Sequence, residues 1–168
     1  MVWVLSERGC DVEGVLREWF RGAGRVVVVG VGNPIRMDDF VGMKIVQDLK
    51  GKVPSDRVML IEAETVPENY MQEIIEFKPT HVLIIDAAKM GLKAGEIRLI
   101  SPEDLASYPA FSTHMLPLRI FCEYLKTTNA EMGLLLIEPE KTDFGEEITS
   151  KVQSASHNIY EMLLTLLS

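Results

Sequence analysis

The sequence reads RVVVVGVGNPIRMDDFVG from Arg25 to Gly42, and this stretch decides the fold. It opens with four consecutive valines, and such an apolar run bounded by glycine is typical of a parallel strand buried on both faces. A glycine-rich turn follows, and then two adjacent carboxylates, Asp38 and Asp39, lie at a predicted helix start. The glycines indicate a close neighbour of the backbone. The two aspartates disfavour a phosphate as this neighbour, because they would repel its negative charge.

Outward from this stretch, apolar runs with the character of strands alternate with helical patterns. Alternation of this kind predicts an α/β fold, a single three-layer domain with a mostly parallel, twisted sheet of about five strands and helices on both faces. Strands are predicted at 26–29, 58–61, 81–85, 96–100 and 133–137, and helices at 12–20, 43–50, 67–77, 114–125 and 146–166.

The chain divides into two parts at the start of the first strand. Residues 1–24 are predicted to form an N-terminal helical extension, and residues 25–168 the α/β domain. In the extension, apolar residues recur with helical spacing from Val12 to Phe20, and Asp11 precedes them as a candidate cap. We expect this helix to pack on the sheet.

The bulk composition disfavours several classes of function. The formal net charge of −8 disfavours binding to nucleic acid, because that role needs lysine and arginine to neutralise phosphates. No apolar run approaches the ~18 residues of a membrane span, and the N-terminus lacks a signal-peptide pattern. Cys10 and Cys122 are far apart without metal-ligand spacing, so both are predicted to be reduced. We therefore expect a cytoplasmic protein without nucleic-acid or membrane partners.

The candidate site residues lie where ligands bind in such sheets, beyond the carboxyl ends of the strands. Asp86 directly follows five apolar residues of a predicted strand. A buried, unpaired carboxylate is costly, so Asp86 requires a cation, a metal or hydrogen-bond donors. His114 stands at the junction between a loop and a helix. Asp39, Asp86 and His114 together offer two oxygens and one imidazole, a set that suits a divalent ion such as nickel or zinc.

A separate structural role for each of these residues is the alternative to a metal site. Asp38 and Asp39 can serve as helix cap and first-turn acid, where the helix dipole favours negative charge. Asp86 can anchor hydrogen bonds, and a lone histidine such as His114 is commonly structural. Spacing in the sequence does not establish that the three side chains converge.

Two other kinds of site fit the sequence poorly. The glycine turn follows a strand, but Ile35 occupies the place of the third glycine of a dinucleotide fingerprint, and Pro34 interrupts the entry to the helix. A P-loop is excluded because its Gly-Lys-Ser/Thr is missing. Ser112 can be combined with His114 and Asp86 as a nucleophilic triad, but the sequence contains no Gly-x-Ser-x-Gly elbow.

Several short motifs are specific as an ordered set. They are Gly30-x-Gly-Asn33, Asp38-Asp39, Asp86 after a buried strand, Ser112-Thr-His-x-x-Pro-Leu118 and Ile137-Glu-Pro139. In this order they resemble the [NiFe]-hydrogenase maturation endopeptidases of the HycI/HybD type. The similarity covers roughly residues 25–167, and the segment 65–69 is similar to the formate-hydrogenlyase-type branch of that family. The sequence departs from the family at Met37 and Phe40, where small residues are usual.

The resemblance implies an endopeptidase, classed in the family as aspartic-type, that removes a C-terminal extension from a hydrogenase large-subunit precursor after nickel insertion. Asp39, Asp86 and His114 match the family's metal-contacting positions, and Asp38 matches a neighbouring acidic position. All four are therefore candidate catalytic residues. The resemblance implies that nickel arrives with the precursor, so we expect no tightly bound metal in the free protein. The expected partner is the precursor, and the glycines of the turn are expected to clear space for its incoming peptide tail. The expected state is a monomer.

Two alternatives from other classes use the same residues. A nickel-binding accessory protein would deliver or check the metal without cutting a peptide bond. A metal-dependent amidase or small-peptide hydrolase would keep its metal through purification. A cleavage assay separates the first alternative from an endopeptidase, and metal analysis separates the second.

Overall fold

The computed structural model describes residues 11–106 and 114–168, and within them five strands form one sheet. The strands are β1 (Val26–Val31), β2 (Val58–Glu64), β3 (His81–Ala87), β4 (Ile97–Ile100) and β5 (Glu131–Ile137). Their order across the sheet is β2-β1-β3-β5-β4. All neighbouring pairs are parallel except β4 with β5, which is antiparallel. The predicted α/β fold with a mostly parallel sheet is confirmed.

Helices cover both faces of this sheet. They are α1 (Val12–Trp19), α2 (Val41–Leu49), α3 (Met71–Phe77), α4 (Met115–Leu125) and α5 (Ser150–Leu167). One apolar layer joins α1, α2 and α5 to one face, and a second joins α3 and α4 to the other. In β1, Val26 and Val28 enter the first layer while Val27 and Val29 enter the second, because successive side chains of a strand alternate. The continuous valine run therefore reflects burial on both faces, and the predicted three-layer arrangement is confirmed.

The N-terminal helix packs on the sheet as predicted. Asp11 caps it, since the Asp11 Oδ1 accepts a hydrogen bond of 2.9 Å from the backbone N–H of Gly14. Leu16 and Trp19 are buried in the same apolar layer as α2 and α5. The Trp19 ring also meets the His81 ring edge to face, with centroids 5.0 Å apart. The described part of the extension therefore shares the core of the α/β domain.

Among the element boundaries that differ from the prediction, two change the placement of glutamates. Strand β2 continues to Glu64, which pairs with Val31 of β1, so Glu62 and Glu64 lie within the strand instead of beyond it. Helix α5 begins at Ser150 after Thr149, so Glu146 and Glu147 belong to the preceding loop and not to the first helical turn. None of the helices in the described ranges combines the length and apolar character needed to cross a membrane.

Candidate active site

The site lies beyond the carboxyl ends of β1 and β3. The sheet is built outward in opposite directions from these two neighbouring strands. The connection from β1 runs through α2 to β2 on one side, whereas β3 lies on the other side of β1. This crevice is where ligands bind in open α/β sheets. Asp39 lies in a 3₁₀ turn, Met37–Phe40, just after β1, and Asp86 lies near the carboxyl end of β3.

His114 reaches the two aspartates from the other helical layer. Side chains alternate along β3, so Asp86 lies on the same face of the sheet as Val82 and Ile84. That face packs against the layer that contains α4. His114 immediately precedes α4, so the amino end of that helix brings the imidazole to Asp86. The Nδ1 of His114 lies 3.3 Å from the Asp86 Oδ1, and its Nε2 lies 3.6 Å from the Asp39 Oδ2. The three residues predicted from the sequence therefore do converge.

All three side chains are largely withdrawn from solvent. Asp86 is 0% exposed, His114 is 5% exposed and Asp39 is 7% exposed. The Asp86 Oδ1 also accepts a hydrogen bond of 2.9 Å from the backbone N–H of Ala87, and the Asp39 Oδ2 accepts one of 2.9 Å from the backbone N–H of Asn33. These backbone donors fix the carboxylates and offset part of their desolvation.

The two carboxylates control the charge of the imidazole. Burial alone would lower the pKa of His114, but the hydrogen bond and negative charge of Asp86, together with the charge of Asp39, raise it above the ordinary 6.5. Arg36 opposes this rise weakly. His114 in the metal-free protein is therefore protonated over a wider pH range than an exposed histidine.

The geometry of the three side chains suits a divalent cation. One ligand atom from each of Asp39, Asp86 and His114 can be chosen so that all three lie within 4.8 Å of one another. Two carboxylate oxygens and one imidazole nitrogen are ligands that zinc and nickel accept. Three protein ligands leave coordination positions for a substrate, as in catalytic zinc sites.

The glycines of the turn make room for the chain's own backbone. A Cβ added at Gly32 would lie 1.9 Å from the carbonyl oxygen of Asp39, and its φ of 153° is one that favours glycine. A Cβ added at Gly42 would lie 2.1 Å from the carbonyl oxygen of Ile85. The expectation that these glycines clear space for a peptide tail is therefore wrong. They allow the start of α2 to pack directly on the ends of β1 and β3.

Asp38 has a different environment from its neighbour Asp39. Neither aspartate caps the 3₁₀ turn or α2. The cap positions are occupied by Arg36 and Phe40, and no side-chain hydrogen bond caps either element. The expectation that one aspartate serves as the helix cap is wrong, although both lie in the first turn. Asp38 is 0% exposed and accepts hydrogen bonds from the loop between β5 and α5.

Other residues that bear on the site are Ser112, Met37 and Glu62. Ser112, the candidate nucleophile of the sequence analysis, lies outside the described residues. Met37, where the family usually has a small residue, has a φ of 46°, a conformation that bulky residues rarely adopt. Glu62 accepts a hydrogen bond of 2.6 Å from Gln47 and pairs with Lys50, so it belongs to the surface of β2.

Glu138 was predicted only as part of the Ile137-Glu-Pro139 motif, without a role of its own. This residue is 7% exposed, and its Oε2 accepts a hydrogen bond of 2.6 Å from the backbone N–H of Met90. The bond ties the chain after β3 to the end of β5. A glutamate directly after a buried strand was the available signal, and it matches the argument made for Asp86.

Comparisons with known proteins identify the family. A family model described as hydrogenase maturation protease, HycI, matches residues 43–166. The hydrogenase 3 maturation protease of Escherichia coli K12 is 34% identical over 137 residues, which cover 82% of this chain and 87% of that protein.

Solved structures agree with this assignment. The crystal structure of the [NiFe] hydrogenase maturation protease HycI from Thermococcus kodakarensis matches with a TM-score of 0.81 at 31% identity, covering 91% of this chain and 98% of that one. The solution structure of an endopeptidase HycI from Escherichia coli matches with a TM-score of 0.69 at 31% identity, covering 82% of this chain and 87% of that one. This chain therefore belongs to the hydrogenase maturation protease family, and it is an endopeptidase.

Proposed function

We propose that this endopeptidase removes the C-terminal extension of a [NiFe]-hydrogenase large-subunit precursor after nickel has been inserted. In this proposal, Asp39, Asp86 and His114 contact the nickel ion that the precursor carries. The observation that supports it most directly is the convergence of their ligand atoms to within 4.8 Å in the crevice beyond the sheet. The similarity of segment 65–69 to the formate-hydrogenlyase-type branch supports a precursor of that type. A cytoplasmic location and a monomeric state stay predictions from the sequence.

The ligand set favours an ion that is shared with the substrate. Closed structural sites for such ions use four protein ligands, whereas Asp39, Asp86 and His114 supply three. We expect the free protein to bind the ion weakly and to gain affinity when the precursor supplies the remaining ligands. Nickel would then act as a signal that the precursor is ready for cleavage.

The three residues would assist hydrolysis mainly by positioning. Holding the ion at a fixed place also holds the attached tail, so the scissile bond is kept close to the reacting groups. A water polarised by the ion, or by one of the two carboxylates, adds its oxygen to the scissile carbonyl carbon. The carbon–nitrogen bond then breaks, and the leaving amine takes up the proton that the attacking water has lost.

The experiment follows the intact mass of a nickel-loaded precursor on incubation with the protein. We expect the wild type to release the C-terminal fragment, and Asp39→Asn, Asp86→Asn and His114→Ala each to leave the precursor uncut while remaining folded. Asp48→Asn is the matched control, since Asp48 is a surface carboxylate paired with Lys44 away from the cluster. Full activity in any of the three site variants would remove that residue from the site.

The same experiment separates the alternatives. A nickel-binding accessory protein would bind the loaded precursor without changing its mass. A metal-dependent amidase would carry stoichiometric metal after purification and would cleave small amides without a precursor. Membership of a peptidase family favours cleavage over either outcome.

A further inference from the structure

We propose that Asp38 is a positioning residue: it clamps the loop between β5 and α5, residues 138–149, onto the 3₁₀ turn and thereby keeps Asp39 directed into the metal-binding cluster. This inference rests on the proposed function, because it assigns Asp38 a role in the same site. It replaces the direct role that the resemblance implies for Asp38. The loop 138–149 is called the clamped loop below.

Four hydrogen bonds join the Asp38 carboxylate to the clamped loop. Its Oδ2 accepts from the backbone N–H of Glu140 at 2.8 Å, from that of Lys141 at 2.9 Å and from the Thr149 hydroxyl at 2.8 Å. Its Oδ1 accepts from the backbone N–H of Thr149 at 2.8 Å. Four donors satisfy this buried carboxylate without a metal ion, since a carboxylate has about four lone-pair positions.

Backbone hydrogen bonds extend the clamp along the turn. The N–H of Asp38 donates to the carbonyl of Lys141 at 3.0 Å, and the N–H of Met37 donates to the carbonyl of Gly145 at 2.9 Å. In return, the N–H of Gly145 donates to the carbonyl of Ile35 at 2.9 Å. The turn that carries Asp39 is therefore bound to the clamped loop at Asp38 and at the residues that precede Asp38.

The position of Asp39 depends on this attachment. Asp38 and Asp39 are consecutive residues of one tight turn, so their side chains leave the backbone in different directions. With Asp38 held by the clamped loop, the Asp39 carboxylate is directed toward His114, where its Oδ2 also accepts the N–H of Asn33 at 2.9 Å. Loss of the clamp would free the turn to rotate, and it would move Asp39 without altering any residue of the metal cluster.

The test compares Asp38→Asn with Thr149→Val, with zinc alone as a diamagnetic probe of the cluster. Asparagine at position 38 replaces one acceptor oxygen with an NH2 donor, which then faces the donors of the clamped loop. Thr149→Val removes one of the four hydrogen bonds and keeps the Asp38 carboxylate. Zinc affinity is measured by NMR titration, and cleavage of the nickel-loaded precursor gives kcat and KM. We expect Asp38→Asn to weaken zinc binding and lower kcat by about tenfold or more, and Thr149→Val to have a smaller effect in the same direction. Asp48→Asn should match the wild type.

Each other outcome overturns the inference. If Asp38→Asn lowers the free energy of unfolding but keeps wild-type zinc affinity and kcat, Asp38 is a structural anchor only. If Asp38→Asn is inactive with normal zinc affinity, Asp38 acts in the chemistry itself. If Asp38→Asn does not fold, unchanged zinc affinity in Thr149→Val decides against positioning. Failure of the proposed function can be distinguished from failure of this inference. In the first case the wild type would leave the precursor uncut, but the zinc affinities of the variants would still show whether Asp38 positions Asp39.

Discussion

The Nδ1 of His114 lies 3.3 Å from the Oδ1 of Asp86, although the two residues are 28 positions apart in the chain. Asp86 is 0% exposed, so this contact places an imidazole against a fully buried carboxylate. The pairing accounts for the raised pKa of His114, and it explains how a strand can end in a charge without exposing it.

The first prediction concerns stability and the protonation of His114. Its pKa is raised above 6.5 in the folded protein, so the charged imidazole stabilises the fold at pH values below 6.5, and this contribution is lost as the pH rises through the folded pKa. With metal removed by a chelator, the stability advantage of the wild type over His114→Gln should shrink as the pH increases above 6.5. Urea unfolding across this window measures it. A stability advantage of the wild type that grows with pH would contradict a raised pKa of His114.

The second prediction concerns His81, whose pKa is shifted in the opposite direction to that of His114. Burial beside Trp19 lowers the pKa of His81 below 6.5, although a backbone hydrogen bond to Trp19 and the charge of Glu131 partly oppose this. The neutral form is favoured in the fold, so its contribution is present above pH 6.5 and is lost as the pH falls through the folded pKa. His81→Phe keeps an aromatic ring and should remove this acid-side loss.

Urea unfolding of wild type and His81→Phe on the acid side of neutrality gives the comparison. Parallel curves for the wild type and His81→Phe would exclude His81 as the source of the acid-side loss.

The strands were predictable because each parallel strand contains a run of consecutive apolar residues. Val26 to Val29 need cover on both faces, and a parallel sheet between two helical layers is the arrangement that gives it. Asp86 and His114 were predictable for a related reason, since a charge directly after a buried strand and a histidine at a helix start both map to the ligand-binding edge. Their convergence needed the structure, because no sequence spacing encodes it.

The third prediction concerns the contact between α2 and the strands. A Cβ at Gly42 would lie 2.1 Å from the Ile85 carbonyl oxygen and 2.6 Å from that of Val31, and neither backbone atom can move aside easily. Gly42→Ala should therefore lower the free energy of unfolding by about 1–3 kcal/mol. Gly24→Ala is the control, because its nearest neighbour is a methyl group of Thr80 at 3.4 Å. Equal midpoints of urea unfolding for the two variants would show that the end of β3 can yield.

The fourth prediction concerns the reactivity of Cys122. Burial raises the pKa of this thiol to about 12, and Glu103 adds to the rise. The thiolate is the reactive species, so Cys122 should react with iodoacetamide far more slowly in the native protein than in urea. Cys10→Ser isolates the signal, since Cys10 lies outside the described residues. Labelling of the native protein at the rate of an exposed thiol would show that α4 opens readily.

The partners of Asp38 could not be predicted, because they lie 102 to 111 residues away in the clamped loop. From the sequence, Asp38 was predicted to interact with its own helix start, where the helix dipole favours a negative charge. The same long-range bond to the Thr149 backbone explains why α5 starts at Ser150 and not at Glu146. The start of α5 and the partners of Asp38 were therefore mispredicted at the place where these two distant segments meet.

The most direct test of the account compares cleavage of nickel-loaded and nickel-free precursor by the wild-type protein, followed by intact mass. If Asp39, Asp86 and His114 recognise the ion carried by the substrate, the loaded precursor should lose its C-terminal extension and the nickel-free precursor should remain intact. Restoring nickel to the nickel-free sample should restore cleavage. Cleavage of both forms at the same rate would contradict recognition of nickel by this cluster.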